Sequence, residues 1–217
     1  MKLFTYIVNS DTGLAPNPFW GRLSLAVCKP KIRKAAKIGD WIIGTGSKNV
    51  KSKRKAYTDY SGKLVFAMKV SEIMTMKEYD IYCTNSLTEI KNKIPSGKKG
   101  WKTKIGDCIY KYPTGGNSPI LRHSLHSNKN RETDLGGLNV LLSDIFFYFG
   151  CKPKELHPRF SEVIKTGIGH TAFDDLDFVR DFECWVMTTF EKQSDFPDPQ
   201  LKDEIDDLFH NRFTSSC

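Results

Sequence analysis

The spacing of apolar residues changes character along the chain. Leu3–Asn9 alternates, with Phe4, Tyr6 and Val8 on one face, and predicts a first strand. The segment GLAPNPFWG, residues 13–21, is held out of a helix by Pro16 and Pro18 and reads as an ordered loop. Alternation resumes over Arg22–Cys28, with Leu23, Leu25 and Val27 on one side. Pro30 suits the first turn of a short basic helix, Lys31–Lys37, which Gly39 ends, and Asp40–Gly44 predicts the next strand. Residues 47–62 read as a polar, basic, hairpin-like excursion, and Lys63–Ile73 as one strand.

Thr75-Met76-Lys77-Glu78 is a capping-box pattern, so a short helix is expected to run to about Tyr82. Residues 91–107 form a basic loop around Trp101, Cys108–Tyr112 a short strand, and 113–137 an irregular polar loop of the kind that carries function. Asn139–Leu142 and Phe146–Phe149 predict strands. Beyond them the period becomes helical. Leu176, Val179, Phe182, Val186 and Phe190 share a face in Asp174–Glu191, whose acidic start suits a helix dipole. Leu201, Ile205 and Leu208 repeat the pattern in Pro199–Phe209. The fold class expected is α+β: a β-rich domain over 1–150 and an acidic helical extension over 151–217 packed on it.

Composition supports a packed core, since 39% of the 217 residues are hydrophobic and 12% aromatic. The net charge of +8 hides a division. Residues 1–130 carry 24 Lys and Arg against 8 Asp and Glu, a balance of +16, while residues 131–217 carry 9 against 17, a balance of −8. Clustered lysines at 29–37, 48–55 and 91–104 point to a polyanion, with phosphate backbones the commonest. Six widely spaced cysteines include no Cys-x-x-Cys, so no zinc ribbon is expected. The apolar run before Asn9 is too short for a signal peptide, and no stretch approaches the roughly 20 apolar residues of a membrane span. A cytoplasmic chain with reduced thiols, no membrane and no cofactor is the expectation.

Three segments could carry chemistry. AKIGDWIIGTGSK, residues 36–48, resembles a phosphate cradle, but lacks the Walker spacing and the following helix whose N-terminus makes such cradles work. Its glycines suit a strand end that turns, or a close approach by backbone or flat ligand, with Thr45 and Ser47 as hydrogen-bonding groups. Phe19, Trp20 and Trp41 offer faces on which a base could stack, and core packing competes for Trp41. Asn17, between two prolines, could read a base edge or cap a turn. In LRHSLHSNKNRETD, residues 121–134, His123, His126 and Asp134 offer a metal site or an acid–base pair; no metal is expected there, and His126 with Asp134 are the catalytic candidates. Lys31, Arg33, Lys53 and Arg54 are the phosphate candidates.

GLAPNPFWG, SLAVCKPKIRKAAKIGDWIIGTGS, GDCIY and HSN…D…VLLSDIFFYFG together resemble the second type of nucleotide-modification-associated domain, over about residues 3–150. The resemblance implies a setting of DNA base hypermodification and phage conflict. A weaker likeness, in the order of elements over Leu3–Ile73, is to PUA-like domains of the EVE type, some of which hold a modified base in an aromatic pocket. It implies a β pseudo-barrel with short helices. The function expected first is a module that recognises a modified base or nucleotide, free or in nucleic acid. The alternative is an enzyme acting on a base or nucleotide. A protein-interaction module using the acidic helices is a third reading.

Overall fold

A computed structural model describes residues 1–48, 50, 58–98, 100–116 and 118–211. In chain order the elements are β1 (Leu3–Val8), β2 (Leu23–Leu25), α1 (Pro30–Ala35), β3 (Trp41–Gly46), β4 (Lys63–Lys69), β5 (Glu72–Thr75), α2 (Met76–Asn85), α3 (Trp101–Lys104), β6 (Tyr110–Lys111), β7 (Ile120–Leu121), α4 (Arg131–Leu135), β8 (Asn139–Ser143), β9 (Ile145–Tyr148), β10 (Lys154–Glu155), β11 (His170–Phe173), α5 (Leu176–Thr189) and α6 (Ile205–His210). The chain is α+β. It divides into two compact units, each made of three separate segments: 1–11, 36–71 and 143–200 in the first, and 12–35, 72–142 and 201–217 in the second. The boundary expected at residue 150 falls inside a segment of the first unit.

The first unit is a mixed sheet in the order β10-β4-β3-β1-β11, with β9 pairing beside β10 on β4. β1 and β3 run parallel, from Leu3 opposite Trp41 to Val8 opposite Gly46, and the other pairs are antiparallel. A barrel requires its edge strands to pair with each other. Among the described residues β11 does not pair with β9 or β10, so the sheet is not closed and the expected pseudo-barrel is not what it forms. At Gly46 a Cβ would collide with the backbone carbonyl of Tyr60, which is the close approach the glycine permits. Half of the excursion expected at 47–62, residues 49 and 51–57, lies outside the described residues.

One core cluster joins this sheet to α5. Asp175 caps the helix, its side chain accepting from the Asp177 and Phe178 N–H groups. The helical spacing of Val179, Phe182 and Val186 then buries one face against Leu3, Trp41, Ile43, Ala67 and Phe147. Phe182 meets the Trp41 ring edge-on at 6.0 Å. Arg180, Cys184, Met187 and Thr188 stay exposed on the other side, and Asp181 and Glu183 are half-buried in ion pairs with Arg159 and Lys69. No helix among the described residues is long and apolar enough to cross a membrane.

The second unit holds a three-stranded sheet, β2-β8-β5, a two-stranded pair, β6-β7, and the helices α1–α4 and α6. The strand expected over Lys63–Ile73 is two strands: β4 ends at Lys69, and β5 pairs with β8, Glu72 opposite Leu142. The capping box at α2 is formed by Thr75 and Glu78 as the sequence predicts. A buried polar network fixes the 13–24 loop. Lys93 Nζ lies within hydrogen-bond distance of four acceptors that share its three N–H groups: Asn17 O at 2.9 Å, Asn17 Oδ1 at 2.9 Å, Arg22 O at 2.7 Å and Ser24 Oγ at 2.7 Å. Asp107 accepts from Ser24 Oγ at 2.6 Å and Tyr79 OH at 2.7 Å. Burial draws the Lys93 ammonium down to about 8 and pushes the Asp107 carboxyl up.

Candidate active site

The second unit brings Cys28, His126 and Asp134 together. β2 ends at Leu25, and the chain turns sharply before α1. Cys28 has φ +58° and Lys29 φ +41°, two successive non-glycine residues in the left-handed region. Each costs about 1–2 kcal/mol in a residue bearing a Cβ, so surrounding contacts must hold the turn. Arg33 supplies several. Its side chain is fully enclosed, and it donates to the carbonyls of Cys28 (2.8 Å), Ala26, Asn139 (2.8 Å) and Asp134. Gly137 makes room for it, because a Cβ there would overlap the guanidinium. Burial lowers Arg33 to about 10, with the Asp134 carboxylate opposing.

From the other side, Ser127 and Asn130 form a capping box on a short 3-10 turn, Asn128–Asn130. α4 follows and carries Asp134 into the interior. The Asp134 carboxylate accepts the Cys28 backbone N–H on Oδ1 at 3.0 Å. Its Oδ2 accepts Tyr110 OH at 3.2 Å and lies 2.7 Å from His126 Nδ1. The other ring nitrogen of His126, Nε2, lies 3.7 Å from Cys28 Sγ. Asp134 is fully buried, His126 nearly so, and Cys28 half-buried. Burial alone would lower the His126 imidazole, but its bonds to Asp134 and Cys28 outweigh this and hold it at about 9. Burial and Asp134 push the Tyr110 phenol well up, so Tyr110 acts as a donor to the carboxylate.

This order, thiol to one ring nitrogen and carboxylate to the other, is that of a nucleophile, a base and a residue that orients the base. The same three side chains each offer a ligand atom within 4.8 Å of the others, so a metal ion is the competing use of the cluster. Asp134 Oδ2 already meets both Tyr110 OH and His126 Nδ1, so a metal ion at that oxygen would displace one of them. Each is a buried donor that would lose its partner. Cys28 and His126 alone are two ligands, fewer than a zinc site takes from a protein.

Of the residues singled out from sequence, His126 and Asp134 lie here. His123 packs edge-on against Phe209 at 4.1 Å. Asn17 is buried, donating from Nδ2 to Ile105 O at 2.8 Å, and Phe19 is buried against Trp101 at 5.5 Å. Trp20 is half-buried with φ +71°. Trp41 and Thr45 are enclosed in the first unit, where Thr45 Oγ1 donates to Tyr6 O at 3.4 Å; Ser47 is half-buried in the same unit. The six proposed base contacts are thus divided between the two units. Among the phosphate candidates, Lys31 is exposed, Arg33 is the enclosed clamp described above, and Lys53 and Arg54 lie outside the described residues. Cys28 and Tyr110 were not among the sequence candidates. The one available signal was Cys28 two residues before a Pro-started helix, and the 98 positions separating it from His126 hide the pairing.

Fold and site define an α+β protein with a cysteine–histidine–aspartate cluster. The chain belongs to the family described as nucleotide modification associated domain 2, which it matches over residues 1–204. No curated protein and no solved structure matches it.

Proposed function

We propose that the chain is an enzyme that uses the Cys28 thiol as a nucleophile on a nucleotide or nucleobase. The observation that carries the reading is the Sγ–imidazole–carboxylate chain, built on a left-handed turn at the thiol itself. In its neutral form, reached as pH rises through about 9, the His126 ring takes the thiol proton on Nε2 as sulfur bonds an electrophilic carbon. The displaced electron pair moves to a leaving group or an adjacent heteroatom, which His126 then protonates. Asp134 holds the ring by Nδ1 throughout. Attack of water or a second substrate on that carbon completes a hydrolase or transferase cycle. The family supports a nucleotide as the substrate class. In its narrower form the reading has a modified base in DNA, in a cytoplasmic phage-defence setting.

The test is covalent. The full chain is incubated with nucleotides and with DNA carrying modified or unmodified bases, and intact-mass spectrometry follows adducts on Cys28. Adduct or turnover in the wild type, absent in Cys28→Ala, is expected. Turnover retained in Cys28→Ala would sink the proposal.

A binding module is the second reading. The observation favouring it is an aromatic and basic cluster in the second unit: Lys102 Nζ lies 5.1 Å from the Phe19 ring and 5.7 Å from Trp101, and Lys202 Nζ 5.4 Å from Trp101. Cations over rings of this kind suit a single-stranded polyanion. Salt-insensitive or absent DNA binding in a filter assay would remove it.

A further inference from the structure

A concave site lies within the second unit, between the C-terminal half of α2 and the residues around β6 and β7. It encloses about 620 Å³, within the usual range for small-molecule sites. Its floor is an ion pair: Arg122 donates to Asp80 Oδ1 at 2.6 Å, and the side chains are only 16% and 6% exposed. The pair is fixed from two sides. Asp80 Oδ2 accepts the Tyr112 backbone N–H at 2.7 Å, and Arg122 also donates to Cys108 O at 3.1 Å. A guanidinium carries five N–H donors, so Arg122 retains donors beyond those used on Asp80 Oδ1, Cys108 O and Cys108 Sγ.

The walls around this floor are of three kinds. Ile81 and Ile120 leave about half of their surface uncovered, 50% and 56% exposed, beside the ring of Tyr112. Thr84 and Asn85 lie in the last turn of α2, where the helix dipole is negative and no basic side chain offsets it. Lys111, which is exposed, also lines the pocket. Apolar and aromatic faces suit a flat ring. Acceptors at a negative helix end suit ring N–H and amino donors. A lysine and a fixed arginine suit a phosphate.

We infer that this pocket binds one nucleotide unit, its base between Tyr112 and the two isoleucines and its phosphate at Lys111 and Arg122. The polarity of the pocket favours bases with an exocyclic amine, cytosine, adenine or guanine, over uracil or thymine. The inference rests on the nucleotide reading of the family and not on chemistry at Cys28.

Isothermal titration of the full chain tests it, with free CMP, AMP and UMP, inorganic phosphate, and a short single-stranded oligonucleotide. Binding of CMP or AMP is expected, weaker for UMP, and about tenfold weaker in Lys111→Glu, whose side chain is exposed and whose fold is checked by circular dichroism. Oligonucleotide binding without free-nucleotide binding, lost in Lys111→Glu, assigns the pocket to a strand rather than a metabolite. Cys28→Ala is expected to bind as the wild type, so loss of chemistry and loss of this pocket are read separately. No binding of any nucleotide or oligonucleotide, equal affinity for phosphate alone, or unchanged affinity in Lys111→Glu would each overturn the inference.

Discussion

Asp134 Oδ1 accepts the Cys28 backbone N–H at 3.0 Å, while Oδ2 of the same carboxylate lies 2.7 Å from His126 Nδ1. One side chain therefore fixes both the peptide that presents the thiol and the ring that faces it. A loss at Asp134 removes both constraints together.

Asp134→Ala leaves the Cys28 N–H, the Tyr110 hydroxyl and a protonated His126 buried without their acceptor. Such breaks cost about 3–5 kcal/mol. Urea denaturation is expected to show a loss of that order, with a smaller loss in Asp134→Asn, whose amide oxygen still accepts one bond. Iodoacetamide alkylation of Cys28 is expected to slow in Asp134→Asn, because the ring is no longer held in one orientation. Equal rates would separate Asp134 from the thiol.

Lys29 holds φ +41° with a full side chain. Lys29→Gly releases that strain and is expected to raise stability by up to about 1 kcal/mol, after the entropic cost of glycine. Chemical denaturation of the two proteins measures it. A clear loss of stability would mean that the Lys29 side chain contributes more than the backbone strain costs.

The His126 imidazole stands at about 9 in the folded chain against an ordinary value of 6.5. A base whose folded value is raised stabilises the fold fully below its unfolded value. The contribution is lost as pH rises from about 6.5 through about 9, and the difference corresponds to about 3 kcal/mol. The stability of the wild type relative to His126→Gln is expected to fall across that window. A flat difference between pH 6 and pH 10 would contradict the bonded imidazolium.

In the first unit, Phe182→Ala removes a fully buried ring from the contact with Trp41 and Phe160. Truncations of this kind cost about 3–5 kcal/mol. Thermal unfolding is expected to show a large drop in midpoint. A change of only a degree or two would mean that α5 is not anchored through this ring.

The alternation of Leu3–Val8 and the helical spacing of Val179, Phe182 and Val186 were legible in the sequence, because each follows from which side of one element must leave water. So was the Thr75–Glu78 capping box, which is wholly local. β11, at His170–Phe173, has a half-exposed face and no clear alternation, and only its pairing with β1 makes it a strand.

The sequence by itself determined an α+β chain with an acidic-capped C-terminal helix and a polar segment holding His126 and Asp134. These depend on short-range periodicity and on residue chemistry. Tertiary structure decided that the sheet stays open, that Arg33 is a clamp, and that Cys28 stands 3.7 Å from His126. Those depend on contacts between residues far apart in the chain, such as Asp134 with Cys28 and Leu3 with Phe173, and local spacing carries no record of them.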